Sequence, residues 1–302
     1  MNSIVDILYA RFRVADLAKQ KDFLLDFGFI VEEAGNLLLA RGTDPNRYIY
    51  TAEEGEPAFL GLGFEALSQK DLEQVAALDN APIEDITLPG GGIAARLKDP
   101  DGNAIDLVHG IEKPEAIEPL DRQPMNLGEK RERFGERVSF EDNKAIVKRF
   151  GHCVINVNDF RTSEAWYKER FGLLTSDEVY IGTEDKVLGA FMRCNRGEKH
   201  VDHHTLFCVG AGQSSFNHAA FEVANWDSLM VSHYLLQKQG YEHRWGVGKH
   251  ILGSQVFDYW KDPAGFTVEH FTDGDLINEA FGSHKAPVEQ LLASHWGPEG
   301  AP

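Results

Sequence analysis

The chain has 302 residues, 42% hydrophobic and 26% charged, with a formal net charge of −18, values that suit a soluble globular protein of one large or two medium domains. So acidic a surface repels phosphates, which excludes nucleic acid as an expected partner. No run of about 18 apolar residues occurs, so no membrane span is expected.

The opening MNSIVDILYARFRV lacks a basic start followed by an apolar core, so no secretory signal is expected. Cys153, Cys194 and Cys208 are odd in number and form no CxxC, which argues against a disulfide framework and a thiolate zinc site and makes a reducing cytoplasm the simplest home.

In chain order, the first recognisable unit is FRVADLAKQKDFLLDFGFIV at 12–31, an apolar strand, an Asp-containing turn and a helix pattern carried by Phe23, Leu24 and Phe27. Gly28 stands where a helix would be capped. FLGLGFEAL at 59–67 then alternates as a strand does, a helical SQKDLEQVAAL follows at 68–78, and KDPDGNAID at 98–106 places a Pro-Gly turn before a last strand.

All of this recurs downstream. INVNDFRTSEAWYKERFGLLT at 155–175 matches the first unit, with Gly172 as cap. FNHAAFEVA at 216–224 matches the second, a helical segment follows at 226–240, and KDPAGFTVE at 261–269 matches the last. The reading is a duplicated α+β unit: an N-terminal domain over 1–135 and a C-terminal domain over 136–302. The charged, Pro-containing stretch 111–144 reads as a linker, and the tail 286–302 as a packed extension or a fraying end.

Aligning the copies shows where they differ. His152 falls opposite Tyr9, His218 opposite Gly61, and Glu269 opposite Asp106. Each residue alone has an ordinary explanation: a lone histidine in an apolar strand is commonly a hydrogen-bonded core residue, and a buried glutamate pairs with a cation. Together, two imidazoles and a carboxylate in three strands of one copy form the ligand set of a facial metal triad, the kind that leaves positions open on Fe(II). The first copy cannot assemble that set.

At these residues the chain resembles the type I extradiol dioxygenases of the vicinal oxygen chelate superfamily. The resemblance spans both copies and is most specific in HILGSQVFDYWKDPAGFTVE at 250–269 and in HHT at 203–205. One position departs, Asp258, where the family usually has an apolar residue.

The resemblance implies tandem βαβββ modules. It implies Fe(II), or Mn(II), held by His152, His218 and Glu269, with O2 as co-substrate. His204 would be the acid/base residue, with His250 and Tyr259 hydrogen-bonding a substituted catechol or trihydroxybenzene. It further implies a role in the degradation of aromatic compounds and a homo-oligomer. Under this reading the first domain is a degenerate duplicate, and His200, His203, His233, His243 and His270 are neighbours or structural residues. A glyoxalase-like isomerase and a metal-free small-molecule binding protein of the same fold are the competing expectations.

Overall fold

A computed structural model of the chain describes residues 3–118, 125–138, 145–298 and 300. The first half runs β1 (Ile4–Val14), α1 (Leu17–Phe27), β2 (Ile30–Ala34), β3 (Leu37–Arg41), β4 (Tyr50–Glu54), β5 (Ala58–Ala66), α2 (Gln69–Asp79), β6 (Ile83–Asp85), β7 (Ile93–Lys98) and β8 (Ala104–His109). The Asp16 carboxylate accepts the Lys19 N–H at the start of α1, satisfying a donor that the helix cannot. Gly28 closes the helix at φ 105°, a left-handed conformation open to glycine.

The second half repeats the order as β9 (Val147–Val157), α3 (Phe160–Phe171), β10 (Leu174–Tyr180), β11 (Val187–Arg193), β12 (Val201–Asp202), β13 (Leu206–Gly210), β14 (Ser215–Val223), α4 (Trp226–Gln239), β15 (His243–His250), β16 (Val256–Lys261) and β17 (Thr267–Thr272). It then adds β18 (Leu276–Ile277), β19 (His284–Pro287), α5 (Val288–Leu292) and β20 (Ser294–Trp296). Asp159 and Gly172 cap α3 as Asp16 and Gly28 cap α1.

Each half therefore contains two βαβββ modules, the two-residue β12 standing apart in a separate two-stranded sheet with β18, and the fold is α+β. The first sheet has the order β2-β3-β4-β1-β5-β8-β7-β6. The second repeats that order strand for strand, as β10-β11-β13-β9-β14-β17-β16-β15, and adds β19 and β20 at its two edges. The boundary expected at 135/136 lies in the stretch joining β8 to β9. Residues 119–124 and 139–144 of the expected linker fall outside the described residues, as do 299, 301 and 302 of the tail.

The halves are packed against each other. Phe12 of β1 lies 5.2 Å from Phe216 and 4.9 Å from Phe266, ring centre to ring centre, and such buried rings dominate a core of this kind. Polar contacts also cross the junction. Gln20 of α1 donates to Asp262 at 2.9 Å, and His270 Nε2 lies 2.7 Å from the Phe27 carbonyl with its ring stacked on that of Phe27. His270 thus faces away from Glu269, as strand alternation requires.

Candidate metal centre

Strand register alone brings the three candidate ligands together. His152 on β9 pairs with Ala220 on β14, and Ala220 pairs with Glu269 on β17. The three therefore form a row across the sheet, pointing to one face. His218 lies two residues from Ala220 on the same strand and so shares that face. Ala220, in the middle of the row, is small enough to leave room above it. Tyr259 on β16 pairs with Glu269 and extends the row by one strand.

His152 Nε2 and His218 Nε2 lie 3.3 and 3.4 Å from Glu269 Oε2. Donor atoms about 2.0–2.1 Å from one ion stand roughly 3–3.4 Å apart, so the spacing fits. Glu269 is wholly buried, and both its carboxylate oxygens, together with His218 Nε2, lack any hydrogen-bond partner. Orphaned buried polar atoms are costly, and a cation among them would satisfy all three. Burial pushes the Glu269 carboxyl up, but the two imidazoles beside it outweigh that and hold it well below the usual carboxylate range.

The supporting contacts were not legible in the sequence. The Asn217 side-chain oxygen lies 2.9 Å from His218 Nδ1. It accepts the proton there and leaves the Nε2 lone pair aimed at Glu269, the usual arrangement behind a ligand histidine. His203 and His204 form a chain with Asp177: Asp177 Oδ2 is 2.6 Å from His203 Nε2, and His203 Nδ1 is 3.2 Å from His204 Nδ1. In the tautomer in which His203 Nε2 donates to the Asp177 carboxylate, His203 Nδ1 accepts from His204 Nδ1, so the second nitrogen of His204 is the proton acceptor.

Burial and the neighbouring His152, His203, His250 and His218 hold His204 well below the ordinary histidine range, which keeps it neutral. Its loop is anchored from the other half, where Asp6 of β1 accepts the Thr205 hydroxyl at 3.2 Å. Across the site His250 Nε2 and the Tyr259 hydroxyl are 3.1 Å apart. Burial foremost pushes His250 down to about 4. Burial, reinforced by the Glu269 charge, holds the Tyr259 hydroxyl well above 10, so it is a donor at neutral pH.

His152, His218, His204, His250 and Tyr259 all line one cavity of about 260 Å³. The rest of its wall is mainly apolar, and part is supplied by Val288, Leu291 and Leu292 of α5. Nothing in the amino-acid pattern places that tail at a site, because the segment is too short to declare a face.

A second group, His233, His243 and Asp258, stands on the opposite side of the β15–β16 hairpin. His243 Nε2 is 2.8 Å from Asp258 Oδ1, His233 Nδ1 is 3.1 Å from Oδ2, and Trp260 Nε1 donates to Oδ2 at 2.6 Å. Every one of these atoms has a partner, unlike those at Glu269, so the group is a satisfied buried hydrogen-bond cluster. It also accounts for an acid at 258: a fully buried carboxylate there is held by three N–H donors.

A fold of paired βαβββ modules with a two-histidine, one-glutamate cluster is that of the vicinal oxygen chelate proteins, and residues 149–270 match the Glyoxalase/Bleomycin resistance protein/Dioxygenase superfamily. Residues 149–270 thus carry a domain of this superfamily. Its sequence is similar to Metapyrocatechase 2 of Cupriavidus necator, 28% identical over 292 residues that cover 95% of this chain and 87% of the relative.

Two solved structures share the fold. The Mn(II)-bound glyoxalase from Novosphingobium aromaticivorans has a TM-score of 0.81 at 18% identity, covering 99% of this chain and 93% of its own. The 2,3-dioxygenase LapB from Pseudomonas sp. KL28 has a TM-score of 0.76 at 16% identity, covering 96% and 99%.

Proposed function

We infer that the chain is an extradiol ring-cleaving dioxygenase, inserting both atoms of O2 into a catechol-type diol. The observation that carries the reading is the row His152–Glu269–Tyr259 with His218, in which both Glu269 oxygens and His218 Nε2 are buried without a hydrogen-bond partner, at the wall of a cavity that His204 and His250 also line. Similarity to a metapyrocatechase supports it. A glyoxalase-type isomerisation would give no role to the Asp177–His203–His204 chain or the His250–Tyr259 pair.

His152, His218 and Glu269 are the proposed metal ligands. The donor set of two imidazoles and one carboxylate suits Fe(II), with Mn(II) as the other candidate. A divalent ion held there supplies Lewis acidity that lowers the pKa of a diol hydroxyl and presents open positions to substrate and O2.

The remaining chemistry belongs to the chain. His204 takes the proton of the second hydroxyl and returns it to the cleaving oxygen, as a neutral imidazole oriented by His203 and Asp177 can. His250 and Tyr259 hydrogen-bond the ionised diol oxygen and set its orientation. The apolar walls exclude water, which strengthens both interactions. We further propose domains at 1–135 and 136–302 and a homo-oligomeric assembly.

The test is anaerobic reconstitution with Fe(II), followed by oxygen uptake and visible absorbance on a panel of catechols. One O2 consumed per yellow ring-fission product is expected. Bound metal with neither signal on any catechol overturns the reading.

A further inference from the structure

The cavity beside the ligand cluster has a chemical character of its own, and its role as a substrate pocket rests on the ring-cleavage reading. Apart from the five site residues, its lining among the described residues comprises aliphatic and aromatic side chains with three neutral amides, Asn217, Gln255 and Gln290. No described lysine, arginine, aspartate or glutamate lines it. One wall is continuous: Val154, Phe191 and Phe207 form a packed cluster against which Leu188, Val209 and Leu291 rest. The facing wall carries Trp245, stacked on Phe257 at 4.1 Å.

A catechol chelated at the ligand row must project its ring substituent into this space, because the sheet floor is occupied by the row itself. A carboxylate there would be removed from water with no cation to receive it, at heavy cost. An alkyl or aryl group would be removed from water at a gain. We propose that the substrate class is a catechol bearing an uncharged apolar substituent, selected by the Leu188–Val209–Leu291 wall, and that catechols bearing a carboxylate are rejected. Leu291 is the most informative position, since α5 is a short, half-exposed element. A cation introduced there would reach both the cavity and solvent.

The experiment compares 3- and 4-ethylcatechol with the dihydroxyphenylacetates of matching ring position, which replace the terminal methyl by a carboxylate. With the Fe(II)-loaded enzyme, kcat/KM for the better ethylcatechol is expected to exceed that of its carboxylate counterpart by at least about tenfold, the scale at which pocket complementarity discriminates. A smaller ratio overturns the proposal. Leu291→Arg is expected to narrow the ratio by at least about tenfold through a gain on the carboxylate side. An unchanged ratio in a variant that melts like the wild type removes the wall from the explanation.

Anaerobic calorimetry on the same four compounds reads the preference as Kd without turnover. If no compound is cleaved, the dioxygenase reading fails, and the calorimetric ratio still decides the charge preference. If both classes are cleaved equally, ring cleavage stands and the apolar selection falls.

Discussion

Both halves of the molecule bury a carboxylate in the same row of the same sheet, but they surround it differently. In the second half the row is His152, Ala220, Glu269 and Tyr259, and the carboxylate is left without a hydrogen-bond partner. In the first half the register gives Tyr9, Gly63, Asp106 and Arg96. There the carboxylate is satisfied from within: Tyr9 donates to Asp106 at 2.9 Å, and the guanidinium groups of Arg96 and Arg11 stand 2.9 and 3.4 Å away.

The Tyr9 ring also lies over Gly63, where a Cβ would meet it at 2.4 Å, so the space above the row is filled. Gly61, opposite His218, has φ 130° and faces the Ala104 carbonyl, which a Cβ would meet at 2.0 Å. The first half is therefore a closed version of the site, in which a guanidinium on the chain takes the electrostatic role left open next to Glu269. A buried carboxylate needs a positive partner wherever the fold places one, and the difference between scaffold and proposed site lies in whether the sequence supplies it.

The largest effect that tests this comparison is expected from His218→Gly, which copies Gly61. Loss of one of the three proposed ligands should empty the site on gel filtration and lower kcat/KM by more than about 10³-fold, since a Lewis-acidic ion there would account for several kcal/mol of the chemistry. Full metal content in this variant, measured by plasma emission, would contradict the ligand assignment.

Next in size is Arg96→Met. It removes one guanidinium from buried Asp106 while Arg11 and Tyr9 remain. The expected loss is about 2–3 kcal/mol, below the about 3–5 of a fully buried pair, because Arg96 is one-third exposed. Urea denaturation measures it, and metal content should not change. A variant as stable as the wild type would show that Asp106 does not depend on that cation.

Asp177→Asn should cost on the order of 10–100-fold in kcat, the size seen for partners that orient a ligand or catalytic imidazole, with little change in KM. Asn offers His203 either an oxygen or an amide hydrogen, so the donor order that leaves His204 a proton acceptor is no longer enforced. An equal effect on KM and none on kcat would place Asp177 outside the proton path.

The smallest effect concerns the satisfied cluster behind the hairpin. Hydrogen bonding to Asp258, together with its charge, raises the His233 pKa against the opposing effect of burial. A histidine with a raised folded-state pKa contributes stability that is fully present below the unfolded value, about 6.5, and lost as pH rises through the folded one. His233→Gln should therefore destabilise the protein by about 1 kcal/mol near pH 6 and by progressively less as pH rises past 7. A difference that grows towards alkaline pH would reverse the sign and refute the pairing.

Much of this contrast between the halves is legible in the amino-acid order. The duplicated strand, helix and turn patterns point to the α+β fold because helix caps, strand alternation and Pro-Gly turns are local signals, and two copies reinforce each other. The contrast of His152, His218 and Glu269 with Tyr9, Gly61 and Asp106 is equally visible, since it needs only an alignment of the chain with itself. Alternation alone sets His270 on the far face, where the fold places it.

What remained hidden is non-local. Asp177 stands 26 residues from His203, Asp6 reaches Thr205 from the other half, and nothing near either acid marks it as a partner of the HHT segment. Asp258 read as a departure from pattern, and only its meeting with His233, His243 and Trp260 explained it. By itself the sequence determined the repeat, the fold class and the candidate ligands, because these depend on residue type and local spacing. The tertiary structure decided which carboxylate is left unpaired, how His204 is oriented and what lines the cavity. Those depend on strand register and on α5 folding back over the sheet, where neighbours far apart in the chain set both charge and shape.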